Sequence, residues 1–312
     1  MKTKQLTFLL SLTFLFLFSG SVYGDDFQDG LDAYKRNDYK EAVRLWQPLA
    51  EQGNARAQSN LGDMYHKGLG VQRNFKEAVK WYRLSAKQGY AAAQYKLGWM
   101  YAKGVSVIDE NENEIAIYYP WMYEEGKTVP RNDVLAYMWW SICGSSGDEG
   151  CVDKRNKVEK QMSPWEIQKA QFYVGLMYDD GRKVPLDYKE ALKWYRLAAE
   201  QGYADAQMNL GFMYYKGHGV PQDYKEAARL YRLAAEQGYA YAQYFLGWMY
   251  AEGEGVPEDY ASAHMWWNIC GSGGNKKQNH ACVEQRDIIE KRMSPQQIEK
   301  AQRLARNWKP KK

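Results

Sequence analysis

The common catalytic signatures are missing from this chain. It has no H-E-x-x-H, no G-x-S-x-G nucleophile elbow, no Walker loop and no S-x-x-K. Zinc-peptidase, α/β-hydrolase, P-loop and penicillin-recognising serine chemistry therefore each lack their residues. Histidine is scarce. The four present, His66, His218, His264 and His280, fall in unrelated repeat registers, which predicts surface or supporting places for them. Cysteine is equally sparse at four, and only His280 lies near a cysteine pair, too few ligands for a zinc site. No metal and no cofactor are expected. An excess of one charge is lacking too. The 42 basic and 38 acidic side chains leave a net charge of +4, and loss of Lys2 and Lys4 with a leader lowers it to +2. A chain so close to neutral has no global field that favours nucleic acid. Beyond Gly24 no apolar run approaches the ~20 residues that a membrane helix requires.

What is present begins with that leader. Lys2 and Lys4 precede an apolar run of 13 residues, Leu6 to Phe18, and Val22-Tyr23-Gly24 ends it ahead of Asp25-Asp26. Residues 1–24 read as a secretory signal, which predicts a periplasmic or secreted protein with no membrane span after cleavage.

The rest of the chain repeats itself every 36 residues. Gln-Gly recurs at Gln52-Gly53, Gln88-Gly89, Gln201-Gly202 and Gln237-Gly238. Ala-Gln recurs at Ala57-Gln58, Ala93-Gln94, Ala170-Gln171, Ala206-Gln207 and Ala242-Gln243. Fixed periods of this size signal supersecondary units stacked along one axis, which work as surfaces more often than as clefts. Each unit reads as a helical hairpin. Helix A runs from Ala-Gln to a glycine stop at Gly68, Gly217 or Gly253. Helix B opens with capping-box spacing at Asp38/Glu41, Asn74/Glu77, Asp187/Glu190 and Asp223/Glu226. The G-x-G of each loop follows a helix, not a strand, so it is no dinucleotide fingerprint. Leu61/Tyr65, Leu97/Tyr101, Leu210/Tyr214 and Leu246/Tyr250 barely vary and are expected to face the core. So are the helix B rings Trp46, Trp81-Tyr82, Trp139-Trp140, Trp194-Tyr195, Tyr231 and Trp266-Trp267.

With A-Q-x-x-L-G-x-M-Y-x-x-G-x-G-V, D-Y-x-E-A and A-A-E-Q-G in register, residues 27–308 resemble the Sel-1-like repeat family, a relative of the tetratricopeptide arrays. The resemblance implies an all-α fold: an α/α superhelical solenoid of about six hairpins with capping helices. It also implies a non-catalytic scaffold that binds a protein or peptide partner. Exported bacterial relatives act in envelope assembly, signalling or host contact. Some carry a β-lactamase or penicillin-binding label, so that activity stands as the alternative function, as does binding of cell-wall glycan through aromatic residues.

A longer echo divides the chain. Residues 139–171 mirror 266–302, with Ser163-Pro164 and Ser294-Pro295 opening helices in both. Residues 25–165 and 166–312 are therefore read as two half-arrays fused without a linker. All four cysteines lie in the echoes. Cys143 and Cys151 align with Ala198 and Ala206, where small residues imply close packing. Of the three connectivities four cysteines allow, Cys143–Cys151 and Cys270–Cys282 are favoured, and exported members of the family show the seven-residue spacing of the first pair. The basic tail Lys309 to Lys312 reads as a solvated end.

Two departures from the repeat are where function is sought. The insertion 105–126 lengthens one loop by 22 residues and carries six carboxylates with Tyr118, Tyr119, Trp121 and Tyr123; long loops are commonly functional or disordered. The second departure is a variable stripe on helix A, three residues before and one after the key glycine: Tyr95 and Trp99, Phe172 and Leu176, Met208 and Phe212, Tyr244 and Trp248, with Ser59 and Asp63 in an earlier unit. These lie about 200° around the helix from the Leu/Tyr pair. They are expected to line a partly aromatic groove for a peptide; burial against the next helix A is the alternative.

Overall fold

In the computed structural model, residues 26–103, 132–273 and 276–311 are described. The expected signal 1–24 and the insertion 105–126, with Tyr118, Tyr119 and Trp121, lie outside them. Among the described residues there are fifteen helices and no strand. In order they are α1 (26–35), α2 (Tyr39–Glu51), α3 (Ala55–Lys67), α4 (Phe75–Lys87), α5 (Ala91–Lys103), α6 (Asp133–Ser145), α7 (Glu149–Glu159), α8 (Pro164–Asp180), α9 (Tyr188–Glu200), α10 (Ala204–Lys216), α11 (Tyr224–Glu236), α12 (Ala240–Glu252), α13 (Tyr260–Ser272), α14 (Lys276–Glu290) and α15 (Pro295–Asn307). They form two compact units, one of Met1–Met162 with Lys183–Pro185, the other of Ser163–Arg182 with Leu186–Lys312. The first stacks the hairpins α1/α2, α3/α4 and α5/α6 and adds α7; the second stacks α8/α9, α10/α11 and α12/α13 and adds α14 and α15. Each is a stretch of α/α solenoid.

Each hairpin is built by one contact. A ring on helix B lies flat on the key glycine of helix A, so close that any Cβ there would collide. A Cβ on Gly98 would sit 2.5 Å from Trp140 Nε1, and one on Gly175 would sit 2.6 Å from Tyr195 Cδ1. When the ring is tryptophan, its Nε1–H donates to the carbonyl three residues before that glycine: Trp46 to Phe27 (3.3 Å), Trp140 to Tyr95 (3.2 Å) and Trp267 to Tyr244 (3.0 Å). The expected helix B rings are all buried.

Amides join one hairpin to the next. Gln58, Gln94, Gln207 and Gln243 are buried, and each donates Nε2–H to the carbonyl eight residues back, on Ala50, Ala86, Ala199 and Ala235. Buried amides need such partners, because an unpaired one keeps its full desolvation cost. Gln88, Gln201 and Gln237 then donate to the Oε1 of Gln58, Gln171 and Gln207. Gln94 Oε1 is buried without a partner among the described residues; the Gln-Gly pair that should follow it is Ser146-Gly147, and Ser146 Oγ donates to the Cys143 carbonyl instead.

Three expectations are corrected. The reciprocal capping boxes at helix B do not form. The side chains of Asp38, Asn74, Asp187 and Asp223 do accept from the third N–H. The N–H groups of Asn74, Asn132, Asp187, Asp223 and Asp259, however, donate to the carbonyls of Tyr65, Tyr101, Tyr178, Tyr214 and Tyr250, which closes each hairpin at its base. Glu41, Glu77, Glu190 and Glu226 are thereby freed to pair with Arg44, Lys80, Lys193 and Arg229. Full boxes occur at Ser163/Glu166 and Ser294/Gln297. Second, in the Leu/Tyr pairs the leucines are buried, but Tyr65, Tyr214 and Tyr250 are half-buried. Arg83, Arg196 and Arg232 reach across to the hydroxyls of Tyr101, Tyr214 and Tyr250. Third, the tail is exposed yet tethered: Lys311 donates to the Glu236 carbonyl through its N–H and to Glu236 Oε2 through Nζ, both at 2.7 Å.

Candidate partner-binding surface

The stripe residues fall into distinct environments. On α5, Tyr95 and Trp99 are half-buried while Leu97 is fully buried. Trp99 meets the edge of His66 at 5.4 Å, and burial holds the His66 imidazole below its ordinary pKa. Beside them Lys96 bridges Asp63 (2.7 Å) and Ser59 (3.1 Å), and Tyr82 donates to Asp63 at 2.6 Å. Burial, then the Asp63 charge, pushes the Tyr82 phenol far above its usual range. The first unit thus presents an aromatic pair next to a fixed ion pair.

In the second unit, Phe172 is not part of an open groove. It is buried against Tyr195 at 5.7 Å and Tyr203 at 5.5 Å, and Met208 is buried too. Beneath them Tyr195 donates to Asp179 (3.1 Å) and accepts from Asn209 (3.1 Å); burial raises the Asp179 carboxyl. Phe212, half-buried, faces His218 edge-on at 6.2 Å with Lys216 Nζ 5.8 Å above its ring. Tyr244 and Trp248 remain half-buried, packed against the cluster that holds Ile289 and Met293. The stripe therefore leaves Tyr95 and Trp99 half-buried in one unit, and Phe212, Tyr244 and Trp248 half-buried in the other.

Cys143 is bonded to Cys151, with Cα atoms 5.8 Å apart, and Cys270 to Cys282, at 5.9 Å. Asp148 lies near the first bridge, but both sulfurs are consumed and Asp148 caps α7 through the Cys151 N–H, so this cluster is no metal site. His264, expected at the surface or in support, is buried and its Nε2 pairs with Glu290 at 3.1 Å, tying α14 to α13. One surface escaped the sequence reading. Leu84, Leu197 and Leu233 are 41%, 38% and 36% exposed, and all stand four residues before the Gln of Gln-Gly. That register was the available signal.

Comparison with known proteins places this architecture. The Sel1 repeat family matches residues 23–54, 55–90, 91–119, 121–147, 168–203, 204–239 and 240–269. The chain belongs to the Sel1 repeat family. The matches 91–119 and 121–147 fall on the two sides of a single hairpin, α5/α6. A Sel1 repeat protein from Oxalobacter formigenes is 30% identical, over 80% of this chain and 86% of that one, with a TM-score of 0.37. A protective antigen of uropathogenic Escherichia coli with an SLR fold is 24% identical, over 93% and 84%, with a TM-score of 0.38. No curated protein gives a significant match. Sel1 repeats typically form scaffolds for protein–protein interaction and are generally non-catalytic.

Proposed function

We propose that this Sel1 chain is an exported scaffold, in the bacterial envelope or secreted, that holds a protein or peptide partner on the helix A patches. One observation carries the reading. Trp99 and Trp248 stay half-exposed, whereas the rings that build the core, Trp140 and Trp267, are 4% and 2% exposed. Large rings left partly exposed are common anchors of a protein contact, and Trp99 also meets the His66 ring. Two disulfides suit an oxidising compartment. No helix among the described residues is long and apolar enough to cross a membrane. We read the insertion 105–126, with Tyr118, Tyr119 and Trp121, as a further contact element.

The test is site-specific photocrosslinking in the native host. A crosslinker at position 99 or 248 is expected to trap the same partner repeatedly, and one at Leu84 or Leu197, on helix B, is expected not to trap it. Equal trapping from all four positions contradicts the assignment.

A further inference from the structure

The amide ladder ends at Gln243. Gln58 and Gln207 are satisfied at both ends, since Nε2 donates to a carbonyl and Oε1 accepts from the glutamine thirty residues on, at 2.8 Å in each case. Gln243 repeats the first half only. It is 3% exposed and donates to the Ala235 carbonyl at 3.1 Å, but thirty residues on stands Gly273, which has no side chain. No donor among the described residues reaches its Oε1. Gln243 lines a cavity of about 470 Å³ with Gln237, Asn268, Gly273, Arg306 and Trp308, a volume in the ~300–1,000 Å³ range of ligand sites. Asn268 Oδ1 faces Arg286 Nη1 at 3.4 Å, which leaves its Nδ2 hydrogens to donate elsewhere. The tail that Lys311 tethers to Glu236 closes one wall.

We propose that this cavity binds a primary carboxamide, presented as a glutamine or asparagine side chain by a protein or peptide segment. Gln243 Oε1 accepts from the amide nitrogen and Asn268 Nδ2 donates to the amide oxygen. The Trp308 ring flanks the aliphatic stem. A glutamate would set a charged oxygen against Gln243 Oε1, and a leucine would leave that acceptor unpaired; sites built on buried hydrogen-bonding groups reject such analogues strongly. No stripe residue lines the cavity, so this site and the partner surface succeed or fail separately.

The experiment titrates the whole protein with acetyl-Gln-Gly-Tyr-N-methylamide, which copies Gln237-Gly238-Tyr239, and with its Glu and Leu counterparts, by calorimetry. The Gln peptide is expected to bind at least about tenfold tighter than either counterpart, in line with a hydrogen-bond-reading site. Gly273→Gln is expected to abolish that binding. The backbone there is extended (φ −92°, ψ 165°) and a Cβ would meet only the Cys270 carbonyl at 3.6 Å, so the variant can fold. Trp308→Ala is expected to weaken binding about tenfold or more; because Trp308 is half-buried and meets the Trp266 ring at 6.2 Å, the variant's thermal midpoint is measured alongside, and Gly273→Gln carries the test should that variant fail to fold. Equal affinity for the three peptides, no binding of any, or binding untouched by both variants overturns the proposal.

Discussion

A glycine inside a helix normally weakens it, by about 1 kcal/mol relative to alanine. Gly98 inverts that rule, because its missing side chain is the space that the Trp140 indole occupies. Gly98→Ala is therefore expected to destabilise the protein by about 1–3 kcal/mol, the usual cost of overpacking, read as a lowered urea midpoint with an unchanged slope. His66 supplies a pH prediction. Burial depresses its folded pKa below the ordinary 6.5, so the stability it contributes is complete above pH 6.5 and is lost as pH falls through the lower folded value. The Trp99 fluorescence component, obtained by difference from Trp99→Phe, should change with a midpoint below 6.5; a midpoint at or above 6.5 contradicts the contact. The constant glycines and the rings were readable from sequence because they recur in register. The burial of Phe172 was not, since its register matches Tyr95 and Tyr244, and only the facing Tyr195 and Tyr203 distinguish it.

At the scale of the element, the hairpin closes at its base whatever its loop contains. Asn132 N–H donates to the Tyr101 carbonyl at 3.0 Å, the same bond that Asn74, with a loop 22 residues shorter, makes to Tyr65. Deleting residues 105–126 should leave the thermal midpoint within a few degrees of the parent, as loop closure costs only ~0.6 kcal/mol per doubling of length. A collapse of folding would show that the insertion is part of the core. The bridge Cys143–Cys151 anchors α7 to α6. Replacing both cysteines by serine is expected to cost about 2.5 kcal/mol on the chain-entropy account, measured by equilibrium denaturation under non-reducing conditions. Helix limits were legible because Asp, Asn and Gly sit at fixed offsets. The fate of the N-cap N–H groups was not, because their acceptors are tyrosine carbonyls of another helix.

Across the whole molecule, the repeat specifies stacking and leaves the variable positions free to differ, so function is expected where the units disagree. The family and fold follow from the 36-residue period; the partner does not, because a half-exposed tryptophan records contact chemistry without naming what it touches. The tether of Lys311 to Glu236 makes the same point for the tail, whose composition suggested a solvated end and gave no sign that the exposed residues are also tied down. The measurement that bears most directly on the scaffold account is a parallel one on Trp99→Ala/Trp248→Ala: capture of the protein crosslinked at those positions, beside the thermal midpoint. The account predicts that capture is lost while the midpoint stays within a few degrees of the parent. Capture that persists, or a midpoint that collapses along with it, would show that these rings serve packing and that the partner is held elsewhere.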